Sequence, residues 1–128
     1  MTSLPLHENA DITKCLAGLP RTLKIGAYDW TIVIEEGESD NAGQARFATD
    51  DIAIWPVNLT SAGHAVGTVL HECLHIIFEN NGIGKMKRGK EEREEAIILG
   101  FESGLVSLFR DNPKLLTWMK KWLGRAPM

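Results

Sequence analysis

Cysteine is scarce in this chain: Cys15 and Cys73 are the only two among 128 residues. A small scaffold stapled by disulfides needs more, so the fold must rest on a packed core. No apolar run approaches the ~18 residues of a membrane-spanning helix. The start, MTSLPLHENADITK, lacks the basic end and apolar stretch of a secretory signal. These absences lead us to expect a cytoplasmic protein with no membrane contact. Neither sign of charge dominates, with 14 basic against 17 acidic residues and a net charge of -3. The chain as a whole is therefore no polyanion binder, although a local basic patch is allowed. There are no internal repeats and no low-complexity tracts. What is present is a 44% hydrophobic composition, enough for a core in a single domain over residues 1–128.

The texture changes along the chain. ADITKCLAGL predicts a short helix capped by Asp11 or Thr13 and stopped at Gly18. LKIGAYDWTIVIEE is rich in β-branched and aromatic residues, which predicts two strands or one bent strand. EGESDNAG is a turn-rich acidic loop. QARFATDDIAIWP predicts a second hairpin that turns at Thr49-Asp50-Asp51 and ends at Pro56. After Pro56 the period becomes helical. Thr60 or Ser61 can cap a helix from about Ala62 to Glu79, stopped by Asn80-Asn81-Gly82. A basic loop follows, then a helix opening on EEREE, where the dipole favours acids. Asp111-Asn112-Pro113 breaks it and starts a last helix. Strands first and helices after argue for an α+β fold.

One segment of the first long helix carries the chemistry. LHECLHII places His71 and His75 four apart, on one helix face, with Cβ atoms ~5–6 Å apart. Both imidazoles can reach one metal ion, and Zn²⁺ accepts nitrogen donors in tetrahedral geometry. Glu72 lies about 100° around the helix, where it flanks the ion without binding it. It can take a proton from a zinc-bound water, whose pKa the metal lowers to ~7. This H-E-x-x-H arrangement is that of zinc metalloproteases. The plainer alternative is two unrelated histidines beside a solvated acid.

A catalytic zinc needs a third protein donor. No histidine follows His75. Cys73 faces away from the metal side and reads as a small buried residue. His64 shares the face but lies ~10 Å along the axis, too far to share the ion; contact with substrate stays open to it. The third ligand is then a carboxylate of the next helix, among Glu91, Glu92, Glu94 and Glu95, most of which are solvated first-turn acids. Tyr28, Arg46 and His64 are the candidates for stabilising an oxyanion, with Tyr28 in a turn that favours a structural role.

VLHECLHIIFENNGI followed by EEAIILGFESGLVSLFRDNP resembles the short gluzincin-type zinc proteins of phages and prophages, distant relatives of repressor-cleaving metallopeptidases. The resemblance covers roughly residues 23 to 116. It implies a minimal zincin-like α+β domain: a small antiparallel sheet packed on the H-E-x-x-H helix, then a glutamate-bearing helix and a C-terminal helix. It also implies one Zn²⁺ per chain and a zinc-dependent peptidase with a protein or peptide substrate, a repressor or host factor by analogy. In that family the third ligand is a glutamate shortly before paired β-branched residues. Here that pair is Ile97-Ile98, which implies Glu95, with Glu94 as the close competitor because it shares a face with Ile98, Phe101, Leu105 and Leu108. One departure is that no acid stands a turn after either glutamate; Leu99 and Ile98 do. By the same resemblance an edge strand beside the metal helix would pair with substrate, and Ile52, Ala53, Ile54 and Trp55 are the residues implied.

Two rival functions stay in view. One is a zinc-containing binding protein that recognises a partner without cutting it. The other is a nucleic-acid-associated adaptor using Lys85, Lys87, Arg88 and Lys90, or Lys114, Lys120, Lys121 and Arg125 beside Trp118 and Trp122. For the last helix, a simpler expectation is that Leu115, Trp118, Met119 and Trp122 dock on the body with the lysines in solvent.

Overall fold

The change of period at Pro56 divides the molecule into a sheet and the helices laid on it. A computed structural model describes residues 9–82 and 89–123. Helix α1 (Ala10–Gly18) comes first, capped by Asn9 rather than by Asp11 or Thr13: the Asn9 side chain accepts the Asp11 N–H. Strands β1 (Thr22–Ile25) and β2 (Tyr28–Ile34) form an antiparallel hairpin, and β3 (Gly43–Arg46) and β4 (Asp51–Ile54) form another. A single 3₁₀ turn at Pro56–Asn58 leads into α2 (Ala62–Asn80). Helices α3 (Lys90–Asp111) and α4 (Pro113–Leu123) complete the order. No helix among the described residues is long and apolar enough to cross a membrane. The basic residues Lys85, Lys87, Arg88 and Arg125 lie outside the described residues.

The sheet is mixed, not antiparallel as the resemblance implied. Its order is β1-β2-β4-β3, and β2 and β4 run parallel. The reason lies in where the second hairpin docks. Its apolar strand, β4, goes inside against β2, pairing Ile32 with Ile52 and Ile34 with Ile54. Its polar strand, β3, is left on the rim. This ordering buries the isoleucines of β4 on both flanks and gives the edge to Gly43, Gln44, Ala45 and Arg46, the usual way of keeping an apolar strand off an edge.

One sheet face is apolar. Leu23, Ile25, Trp30, Ile32, Ile52 and Ile54 are buried on it. Helix α2 covers this face with Ala65, Val66, Val69, Cys73, Ile76 and Ile77, all buried. Ser61 caps it, its side chain accepting the His64 N–H at 3.0 Å. Helix α4 docks with Leu115, Trp118, Met119 and Trp122 inward, as its spacing predicts, and Trp118 Nε1 donates to the Cys15 carbonyl of α1 at 2.8 Å. Both thiols are free and buried. Burial pushes each up to about 12, helped by the charge of Asp11 at Cys15 and of Glu72 at Cys73, so neither is a nucleophile at neutral pH.

Helix α3 is held mainly by its C-terminal half. A Cβ on Gly104 would overlap the Ile77 side chain, so glycine there lets α3 press against α2. Asn112, just past the helix, closes the free edge of β1. Its Oδ1 accepts the Lys24 N–H at 2.8 Å, and its Nδ2 donates to the Lys24 carbonyl at 2.7 Å and the Leu108 carbonyl at 2.8 Å. One side chain thus completes a strand edge and a helix end together, and it is 8% exposed. Replacing it strands these backbone groups. Asn112→Ala is expected to lower unfolding stability by about 1–3 kcal/mol in a denaturant titration. An unchanged midpoint would mean that water replaces all three bonds without cost.

Candidate metal centre

Helix α2 presents three stripes, and each has a different job. The apolar stripe faces the core. Thr68 and Glu72, four apart, face β3 and are buried. His71 and His75 face solvent on the third. Their Nε2 atoms are 3.1 Å apart and the rings meet edge to face. Two nitrogens bound at ~2.0–2.1 Å to a tetrahedral ion stand ~3.3–3.4 Å apart. The imidazole pair therefore already has nearly the bite that one zinc ion requires, and the donor chemistry fits it.

Glu72 is only 6% exposed. Its Oε1 accepts the Ala45 N–H of β3 at 3.0 Å. The β3–β4 register explains why that N–H is available. Gln44 pairs with Ala53 and Arg46 with Asp51, and the Trp55 N–H goes to the Ala42 carbonyl. Alternate residues of an antiparallel strand turn their backbone groups outward, so Gly43 and Ala45 offer theirs away from β4. Glu72 takes one of these edge donors. Among the described residues it makes no other hydrogen bond, which leaves Oε2 open.

Gly43 makes this approach possible. A Cβ there would lie 2.7 Å from Thr68 Cγ2 and 3.3 Å from both Cγ and Oε2 of Glu72. The sequence carried no warning of this contact, because it is a meeting of two elements and not a local pattern.

Three depressions meet at His71. One of about 300 Å³ lies between the helix and β3, lined by Gly43, Ala45, Phe47, His71, Glu72 and His75. Phe47 is braced there edge-on against Trp30, with centroids 5.3 Å apart. A second, of about 380 Å³, runs from Glu72 past Thr68 to His64. A third, of about 300 Å³, is apolar, with Leu74, Phe78 and Phe101 beside the two histidines. His64 borders the groove as a neighbour of the pair, but its Nδ1 already accepts the Thr60 N–H at 3.1 Å.

The other expected site residues fall elsewhere. Ile52, Ala53 and Ile54 are fully buried in β4, an internal strand. The expectation that residues 52–55 form the open edge is therefore corrected: β3 is the edge, and β4 has partners on both sides. Tyr28 opens β2, beside the edge strand β1 on the far side of the sheet, where it pairs with Ile25, and it is 64% exposed. Arg46 points to the outer sheet face, where it binds Asp51 and Glu35. These bonds, Asp51's first, push its guanidinium pKa up further. Among the described residues no third His, Cys, Asp or Glu joins the imidazole pair in a group able to hold an ion. The α3 residue that faces the pair is Phe101. Glu95 and Glu94 lie six and seven positions earlier, ~9–10 Å up the helix, and both are exposed.

Gly43→Ala should force β3 and α2 apart, destabilising the protein by about 1–3 kcal/mol and speeding hydrogen exchange at the Ala45 amide. Thr68→Ser in the same chain removes the clashing methyl and keeps the hydroxyl that donates to the His64 carbonyl. The double variant should recover much of the loss. If Thr68→Ser brings no recovery, the contact at Gly43 is not what limits the approach.

The chain matches no family model, no curated protein and no solved structure.

Proposed function

We propose that this protein is a small zinc-dependent peptidase acting on extended segments of a protein substrate. The observation that carries the reading is the imidazole pair, with Nε2 atoms 3.1 Å apart, in a groove shared with a buried glutamate and an edge strand. His71 and His75 would hold the ion. When bound, zinc polarises a peptide carbonyl and makes water nucleophilic near neutral pH.

The chain's own groups do the rest. Glu72 receives the proton that the attacking water loses and delivers it to the leaving amine as the C–N bond breaks. Its Oε1 rests on the Ala45 N–H, so Oε2 is the oxygen free to carry the proton. The outward N–H and C=O of Gly43 and the C=O of Ala45 can pair with an added strand, which selects an extended chain. The apolar depression at Leu74, Phe78 and Phe101 suits a large apolar side chain of that substrate. Glu95, or its neighbour Glu94, completes the ligand set in this reading, which requires the first turns of α3 to close on the pair.

A zinc-containing binding protein is the rival, and one observation favours it: Glu72 has a structural bond to Ala45 whether or not it moves protons. Untagged protein analysed by elemental mass spectrometry should contain about one zinc per chain. His71→Ala should lose it, and so should one of Glu94→Ala and Glu95→Ala. Glu72→Gln should keep zinc and fold while peptide hydrolysis falls by at least about 100-fold. A biological effect that survives Glu72→Gln would make binding the function, and protein that takes up no zinc even when it is added would end the enzyme reading.

A further inference from the structure

A second cavity lies between α1 and α4, sharing no lining residue with the groove at His71. It measures about 440 Å³, and Pro20, Pro113, Trp118 and Trp122 supply its apolar wall. Lys14 of α1 and Lys114 and Lys121 of α4 border it, with no carboxylate among the lining residues. None of the three lysines is ion-paired among the described residues. This cationic rim stands on a chain of net charge -3, so it is a local concentration and not a general excess. The wall is fixed by the Trp118 bond to Cys15 across the seam.

We propose that this cavity docks an acidic peptide segment of a partner protein, with one apolar side chain set between two carboxylates. The spacing of the lysines selects this occupant. Lys114 and Lys121 are seven apart on α4, about 10 Å along its axis. An extended peptide turns every second side chain to one face, ~6.6–6.8 Å apart, so a segment of the form acid–x–apolar–x–acid presents all three side chains to the cavity, its acids ~13 Å apart and within reach of the two long lysine side chains. The apolar residue between them then enters the cavity, and Lys14 closes the opposite wall. Single-stranded nucleic acid fits less well, because it needs aromatic faces for its bases. Trp118 and Trp122 are only 4% and 3% exposed, and Lys121 Nζ already lies over the Trp122 ring, 5.2 Å from its centroid.

The test is a titration of the full chain with a short blocked peptide carrying Glu-Ala-Leu-Ala-Glu, followed by tryptophan fluorescence and calorimetry. Binding should weaken about tenfold or more in the paired change Lys114→Glu and Lys121→Glu, with Lys114→Gln and Lys121→Gln as the milder pair, and with raised salt. Lys120→Glu, on an exposed lysine outside the cavity, should change it little, and so should leave intact the dependence on the two peptide glutamates. No binding, an equal loss in Lys120→Glu, or tighter binding of a short oligothymidylate through the same lysines would each overturn the proposal. Neither metal nor hydrolysis enters the measurement, so its outcome is independent of the zinc reading.

Discussion

The contact on which the candidate centre depends is the seating of α2 on the rim strand through Ala45 N–H and Glu72 Oε1. A carboxylate this buried needs a hydrogen-bond donor, and the sheet supplies one from a backbone group that an internal strand would have spent on its neighbour. That requirement explains why the rim strand is the polar one and why Gly43 has no room for a side chain. It also limits what the edge can do. With the Ala45 donor taken, an incoming strand has the Gly43 pair and the Ala45 carbonyl to use. A short footing of that kind gives register more than affinity, and leaves selectivity to side-chain depressions such as the one at Phe101.

Much of this was legible in the sequence, for identifiable reasons. The i, i+4 spacing of His71 and His75 predicts a shared face because α-helical geometry is local, and the two rings do meet. The buried stripe of α4 at Leu115, Trp118, Met119 and Trp122 followed from the same periodicity, as did the limits of α2 from Ser61 and the Asn80-Asn81-Gly82 stop. What was not legible is what depends on how elements meet. Hairpins are local, but the insertion of β4 beside β2 is not, and it moved the sheet edge from Ile52–Trp55 to Gly43–Arg46. The role of Asn112 is equally non-local. The triplet Asp111-Asn112-Pro113 signals a helix end, yet nothing in it tells that the asparagine will bond to Lys24, 88 positions away.

The third ligand is the same problem in its sharpest form. Position along α3 is set by Gly104 against Ile77 and by Asn112 against β1, and this register brings Phe101 to the histidines. The glutamates lie two turns further out. Yet α3 is not bound evenly. In its 22 residues only Leu108 is fully buried, and Ile97, Ile98 and Leu99 are exposed. Little buried surface is therefore lost if the first turns bend toward α2, and some is gained, since Ile98 shares a face with Glu94. A glutamate drawn onto the imidazole pair would bring that apolar surface with it. Ligand capture and packing would then act together, with the free energy of metal binding appearing as order in the first half of α3.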